Sequence, residues 1–134
     1  VLRHAGSSSF EKLKQPPFAM PCLIAGRLPK YLDYFEAVLR RNPGGFVLGK
    51  AVSYVDLSLF QMVAGLRYAF PRALAQLEPR YGRPGALHDR VAARPRIAAY
   101  LASERRIAFN RQGIFRHYAQ LDVPATRPNK SKKT

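Results

Sequence analysis

The chain has 134 residues, 47% of them hydrophobic, and a lone cysteine, Cys22; this suits one domain with a modest core and excludes a collagen-like or disulfide-framed protein. Its 23 Lys and Arg against 8 Asp and Glu give a formal net charge of +15, so acidic partners come into view, yet the basic residues are scattered except at the chain's end and nucleic acid is not the expected partner. No apolar run approaches the roughly 20 residues that cross a bilayer, and no secretory signal opens the chain, so a cytoplasmic protein with no membrane partner is expected.

Residues 1–26, "VLRHAGSSSFEKLKQPPFAMPCLIAG", carry Pro16, Pro17 and Pro21 and a serine triplet without any helical period, and are read as an irregular N-terminal segment. From Leu28 the pattern changes. Leu28, Leu32, Phe35 and Leu39 recur at helical spacing, with Lys30, Asp33, Glu36 and Arg40 largely off that stripe, which predicts an amphipathic helix. Asn42, Pro43, Gly44 and Gly45 then supply a helix stop and a turn.

The stretch "GKAVSYVDLSLF" places Ser53 three residues before Asp56. A serine and an aspartate at that spacing form a capping box, in which the serine caps the amide of Asp56 and the carboxylate reaches back to the Ser53 amide. Val52 and Leu57 are placed to form the accompanying hydrophobic staple. A nucleophile with its orienting acid is the sharper reading of Ser53 and Asp56, but no histidine lies near them in sequence and the cap accounts for both. Beyond the cap, Leu59, Phe60, Met62, Val63, Leu66 and Phe70 leave little polar face, as for a helix buried at the centre of a bundle.

Pro71 interrupts that helix, and "RALAQLEPRY" offers a short one. Leu87 and Val91, then Ile97, Tyr100 and Leu101 behind Pro95, predict two more, although Gly82, Pro84 and Gly85 weaken the entry into the first of them. Residues 107–121 carry Phe109, Phe115 and Tyr118. These three aromatics are candidates for the wall of an apolar pocket, with core packing as the plainer reading. Residues 122–134, ending "RPNKSKKT", are read as a basic disordered tail. No β alternation of useful length appears, so the fold class is all-α, a helical bundle. His4, His88 and His117 are widely separated and share no metal-ligand spacing with Cys22, so no metal site is expected. Tyr31 and Tyr34 lie close enough to the apolar stripe to be read as packing residues.

The ordered series "RLPKYLDYFEAVLRRN", a loop, "GKAVSYVDLSLFQMVAGLRYAF" and "ALHDRVAARPRIAAYLAS" resembles the C-terminal helical domain of cytosolic glutathione S-transferases, particularly the sigma-like and related bacterial and eukaryotic members, over residues 27–121. The Gly49, Ser53 and Asp56 arrangement is similar to that family's capping box. The resemblance implies conjugation of glutathione to hydrophobic electrophiles, with the thiol activated by an N-terminal thioredoxin-like domain and the helical half supplying most of the hydrophobic substrate pocket. Residues 1–26 correspond to no such half, so no catalytic residue is assigned and no cofactor is expected. Glutathione enters only as a co-substrate when a thioredoxin-like domain is supplied. The partners the resemblance implies are that domain, a second copy of the chain and a hydrophobic small molecule. A non-catalytic protein-interaction module or a truncated remnant is the alternative, and Pro16, Pro17 and Pro21 fall where the family's preceding helix lies.

Overall fold

The computed structural model describes residues 23–117 and 119–122. Five α-helices follow one another: α1 (Leu28–Arg41), α2 (Tyr54–Ala69), α3 (Pro71–Leu77), α4 (Gly82–Ala92) and α5 (Pro95–Leu101). Among the described residues there is no strand, only an isolated antiparallel bridge between Phe46 and Gly49. The fold is all-α.

Leu23–Arg27 forms a π-helical turn that runs directly into α1, where an irregular chain was expected up to residue 26. Pro29 explains the geometry. At the second position of α1 it has no N–H to give to the carbonyl one turn earlier, at Ala25, so the α-helical bond cannot form at this point. Within α1, Leu28, Leu32 and Leu39 are buried, and the helix ends at Asn42, whose amide reaches the Leu39 carbonyl at 3.3 Å. The turn that follows needs its glycines. A Cβ on Gly44 would lie 2.4 Å from the Gly49 carbonyl oxygen, and Gly45 sits at φ +84°, where L side chains are strained.

Phe70 is both the last cap of α2 and the first of α3. Pro71 forces this break, because it disfavours helical geometry in the residue before it, while its own missing N–H costs nothing at a first helical position. The same logic corrects the expected weakness around Gly82, Pro84 and Gly85. All three belong to the first turn of α4, and Pro84 and Gly85 are buried there. At that end of a helix the amide that proline lacks has no intrahelical acceptor anyway.

α4 organises the bundle. It packs on both α1 and α2, whereas α1 and α2 do not pack extensively on each other. Leu87 and Val91 of α4 are the innermost side chains, at 1% and 0% exposure, and join Leu39, Phe46, Val47, Leu59 and Val63 in the main core. Each such side chain contributes about 1.5–3 kcal/mol by leaving water. A second cluster, of Ile24, Ala69, Phe70 and Ala73, and a third, of Leu28, Leu32, Leu74 and Tyr81, close the end near α3. α2 is therefore not buried all round. Tyr54, Leu57 and Met62 remain 78%, 41% and 49% exposed, because α4 covers one side of the helix only.

After α5 the described chain forms no further helix and returns along α2. Phe109 stacks on Tyr68 with ring centroids 5.2 Å apart, and the Nδ1–H of His117 donates to the Ala69 carbonyl at 3.2 Å. Asp122 ends the strap. It is fully buried, accepting from the Arg72 amide at 3.0 Å and the Ala73 amide at 2.8 Å. Asp122 thus belongs to the folded body and not to a disordered tail, because its carboxylate satisfies the free amides that open α3.

A candidate apolar ligand groove

Because α4 holds α1 and α2 apart, a cavity of about 600 Å³ opens between them. α1 lines it with Leu28, Tyr31, Leu32 and Phe35, one helical stripe at spacings of three and four. α2 contributes its own stripe through Val55, Ser58, Leu59, Met62 and Leu66. The returning strap closes the third side with Ile114, Phe115 and Arg116. The size and the apolar lining are those of a small-molecule site. Only Tyr31, Ser58 and Arg116 bring polar side-chain atoms to the lining. Arg116 is already engaged, donating from Nε to the Gly113 carbonyl at 2.7 Å.

Phe115 owes its position to a glycine. A Cβ built on Gly65 would come within 2.5 Å of the Phe115 ring carbons, so the ring rests directly on the α2 backbone. Phe109 meets Phe115 edge-on at 5.9 Å, behind it rather than in the lining. Of the three aromatics proposed from sequence for the pocket, Phe115 lines the groove, Phe109 supports it, and Tyr118 lies outside the described residues. Tyr31 and Tyr34 are 59% and 62% exposed, Tyr31 at the groove and Tyr34 edge-on to Phe35 at 5.2 Å. Leu28 and Leu32 of the same helix are buried against Leu74 and Tyr81, whereas both tyrosines stay at the surface instead of in the packing.

The floor of the bundle is set at the start of α2. Asp56 is fully buried and its Oδ2 accepts from the Ser53 amide at 2.7 Å and the Ser53 hydroxyl at 2.8 Å. Its Oδ1 accepts from the Val47 amide at 2.8 Å, tying the turn after α1 to the first turn of α2. The Ser53 side chain also faces the Asp56 amide, the reciprocal half of the box. With its hydroxyl proton given to a buried carboxylate and no imidazole between them, Ser53 is held as a structural group. Val52 packs on the main core, whereas Leu57 stays 41% exposed, so Val52 supplies the burial at this corner.

An ionic cluster escaped the sequence reading. Arg67 of α2 meets Glu78 at 2.6 Å and Asp89 at 3.2 Å, joining three elements of the bundle. Gly85 leaves room for it, since a Cβ there would sit 3.3 Å from the guanidinium. Burial works against the Arg67 charge, but the bonds to Glu78 and Asp89 outweigh it and raise its pKa. The Asp89 carboxyl is held below its ordinary range, first by the His88 hydrogen bond at 2.9 Å and then by Arg67. His88 also stacks on Phe60 at 4.8 Å. The one available signal was a lone arginine in the apolar run "VAGLRYAF". His4 and Cys22 lie outside the described residues, and among the described residues no three His, Cys, Asp or Glu side chains are placed to hold a metal ion.

The groove has apolar walls and a floor, and among the described residues no buried nucleophile is paired with a base beside it. An all-helical bundle with a capped central helix agrees with the resemblance to the C-terminal helical domain of glutathione S-transferases. Residues 2–104 match the family described as glutathione S-transferase, C-terminal domain, and the chain belongs to it. The match begins well before the first described helix and stops before the strap. Among similar proteins, one named glutathione S-transferase P 1 from Xenopus laevis is 33% identical over 81 residues, covering 59% of this chain and 36% of its own. A glutathione S-transferase from Plasmodium yoelii yoelii is 32% identical over 47 residues, 35% of this chain and 22% of its own. The aligned part is thus a minor share of each relative's length.

Proposed function

We propose that this domain forms the hydrophobic-substrate side of a glutathione S-transferase that conjugates glutathione to apolar electrophiles in the cytoplasm. The observation that carries the reading is the groove between α1 and α2, apolar on both helices and closed by Phe115. Thiol activation needs a hydrogen-bond donor or positive field aimed at sulfur, and in this reading a thioredoxin-like domain supplies it while the groove holds the electrophile beside it. A second reading, a non-catalytic interaction module, draws on the exposed Tyr31, Tyr34 and Met62 around the groove, an apolar rim that a second copy or another domain can cover.

The test is calorimetric titration of the chain with an aromatic electrophile and, separately, with glutathione, followed by a conjugation assay with and without an added thioredoxin-like domain. Saturable electrophile binding that weakens in Phe35→Ala, with turnover only when the second domain is present, supports the proposal. Glutathione binding and turnover by the chain alone assigns thiol activation to the helical chain itself and overturns it. An absence of electrophile binding alongside self-association in sedimentation favours the interaction module.

A further inference from the structure

We propose that the segment 105–116 is a docking surface for an anionic phospholipid membrane, with Ile107 and Ile114 entering the headgroup layer and the arginines around them holding the lipid phosphates. Ile114 and Arg116 also line the groove, but the proposal requires nothing to occupy it.

Two observations start the argument. Ile114 and Ile107 are the most exposed large apolar side chains of the described chain, at 97% and 85%, and both sit beside arginines. Across residues 90–116 there are seven arginines, at 90, 94, 96, 105, 106, 111 and 116, against one acid, Glu104. The Arg-carboxylate ion pairs among the described residues engage Arg67 and Arg83, neither of which lies in this stretch. By charge, this stretch of chain is complementary to a polyanion.

The exposed tips are presented on an ordered loop. The Asn110 side-chain Oδ1 accepts from the Gln112 amide at 2.9 Å and the Gly113 amide at 3.0 Å, and Arg116 closes back onto the Gly113 carbonyl at 2.7 Å. Arg106 lies over the Phe109 ring at 5.9 Å, and Phe109 touches Phe115, so the residues that flank both isoleucines share one aromatic support on α2.

The same packing selects lipid over nucleic acid. A single-stranded nucleic acid site sets exposed aromatic rings among its arginines so that bases can stack. Here the two aromatics of the segment, Phe109 and Phe115, are turned inward onto Tyr68 and Gly65, and aliphatic side chains are left outside. Aliphatic tips among guanidinium groups suit a headgroup interface, where apolar burial and attraction to anionic lipid act together.

The experiment is co-sedimentation of the full chain with vesicles of phosphatidylcholine, with and without phosphatidylserine, at low and high salt. Binding to the phosphatidylserine vesicles, lost in phosphatidylcholine alone and weakened by salt, is the expected result. Ile107→Ser with Ile114→Ser leaves the charge unchanged and should lower that affinity about tenfold, while Arg105→Gln and Arg111→Gln should each cost about fivefold. Circular dichroism confirms that the variants fold. No binding to phosphatidylserine vesicles at low salt overturns the proposal, as does binding that the isoleucine variant leaves untouched. Tighter binding to a single-stranded RNA oligonucleotide, competing with the vesicles, assigns the surface to nucleic acid and overturns it too.

Discussion

Asp56 ties the start of α2 to the turn before it. One buried carboxylate accepts from two backbone amides and one hydroxyl, so removing it leaves buried donors unpaired, and hydrogen bonds to a charged group are worth more than neutral ones. Asp56→Ala should lose about 3 kcal/mol of stability in urea unfolding, with Asp56→Asn between it and the wild type because the amide keeps one acceptor; a loss under 1 kcal/mol sinks this account. Tyr81 presents the opposite case. It is 3% exposed and its hydroxyl finds no hydrogen-bond partner among the described residues, while burial first, and then the charge of Asp33, push its pKa above the ordinary 10.0. The unfolded chain therefore loses this proton at lower pH than the folded one. The stability Tyr81 contributes is whole below pH 10 and falls as the pH rises from there toward the raised folded value. Tyr81→Phe should be neutral or stabilising by up to about 1 kcal/mol at pH 7 and should flatten the decline above pH 10, which thermal melts across that range will read.

At the scale of elements, the groove depends on a helix that separates and a strap that covers. α4 sets the distance between α1 and α2; the strap is held at Gly65 by Phe115 and at α3 by Asp122. Gly65→Ala places a methyl where the ring now sits. Alanine favours the helix by about 1 kcal/mol, but overpacking costs about 1–3 kcal/mol, and the ring is the part free to leave. Faster tryptic cleavage after Arg116, with α2 intact by circular dichroism, is the expected outcome; unchanged cleavage means the ring is not held where the structure shows it. The order of the helices was legible in the sequence because each is bounded by a local signal: Ser53 with Asp56, Pro71, Pro95, the turn at Gly44 and Gly45. The π turn at Leu23–Arg27 was not, since prolines a few residues upstream masked a segment that packs Ile24 into the second core cluster.

For the whole molecule, charge is the dominant long-range force. A net charge of +15 over 134 residues repels itself, and the described ion pairs relieve it locally around Arg67 and Arg83. Screening should therefore stabilise the fold. The Tm is expected to rise on moving from about 0.01 M to 0.15 M salt, as the Debye length shrinks from about 30 Å to 8 Å. A falling Tm means that the Arg67 cluster outweighs the general repulsion.

The candidate site was half visible from the chain. Phe115 was named among pocket residues from its aromatic character, but Leu28, Phe35, Met62 and Leu66 read as ordinary core positions, and nothing local separates an apolar stripe that is covered from one that lines a groove. By itself the sequence determined the all-α class, the order of the helices and the capping box, because these rest on groups a few residues apart. Only the tertiary structure decided which apolar faces stay uncovered, that Asp56 also holds Val47, that Asp122 caps α3, and that Phe115 rests on Gly65. Those contacts join residues up to 50 positions apart, and α4 creates the space for them by leaning on α1 and α2 at once.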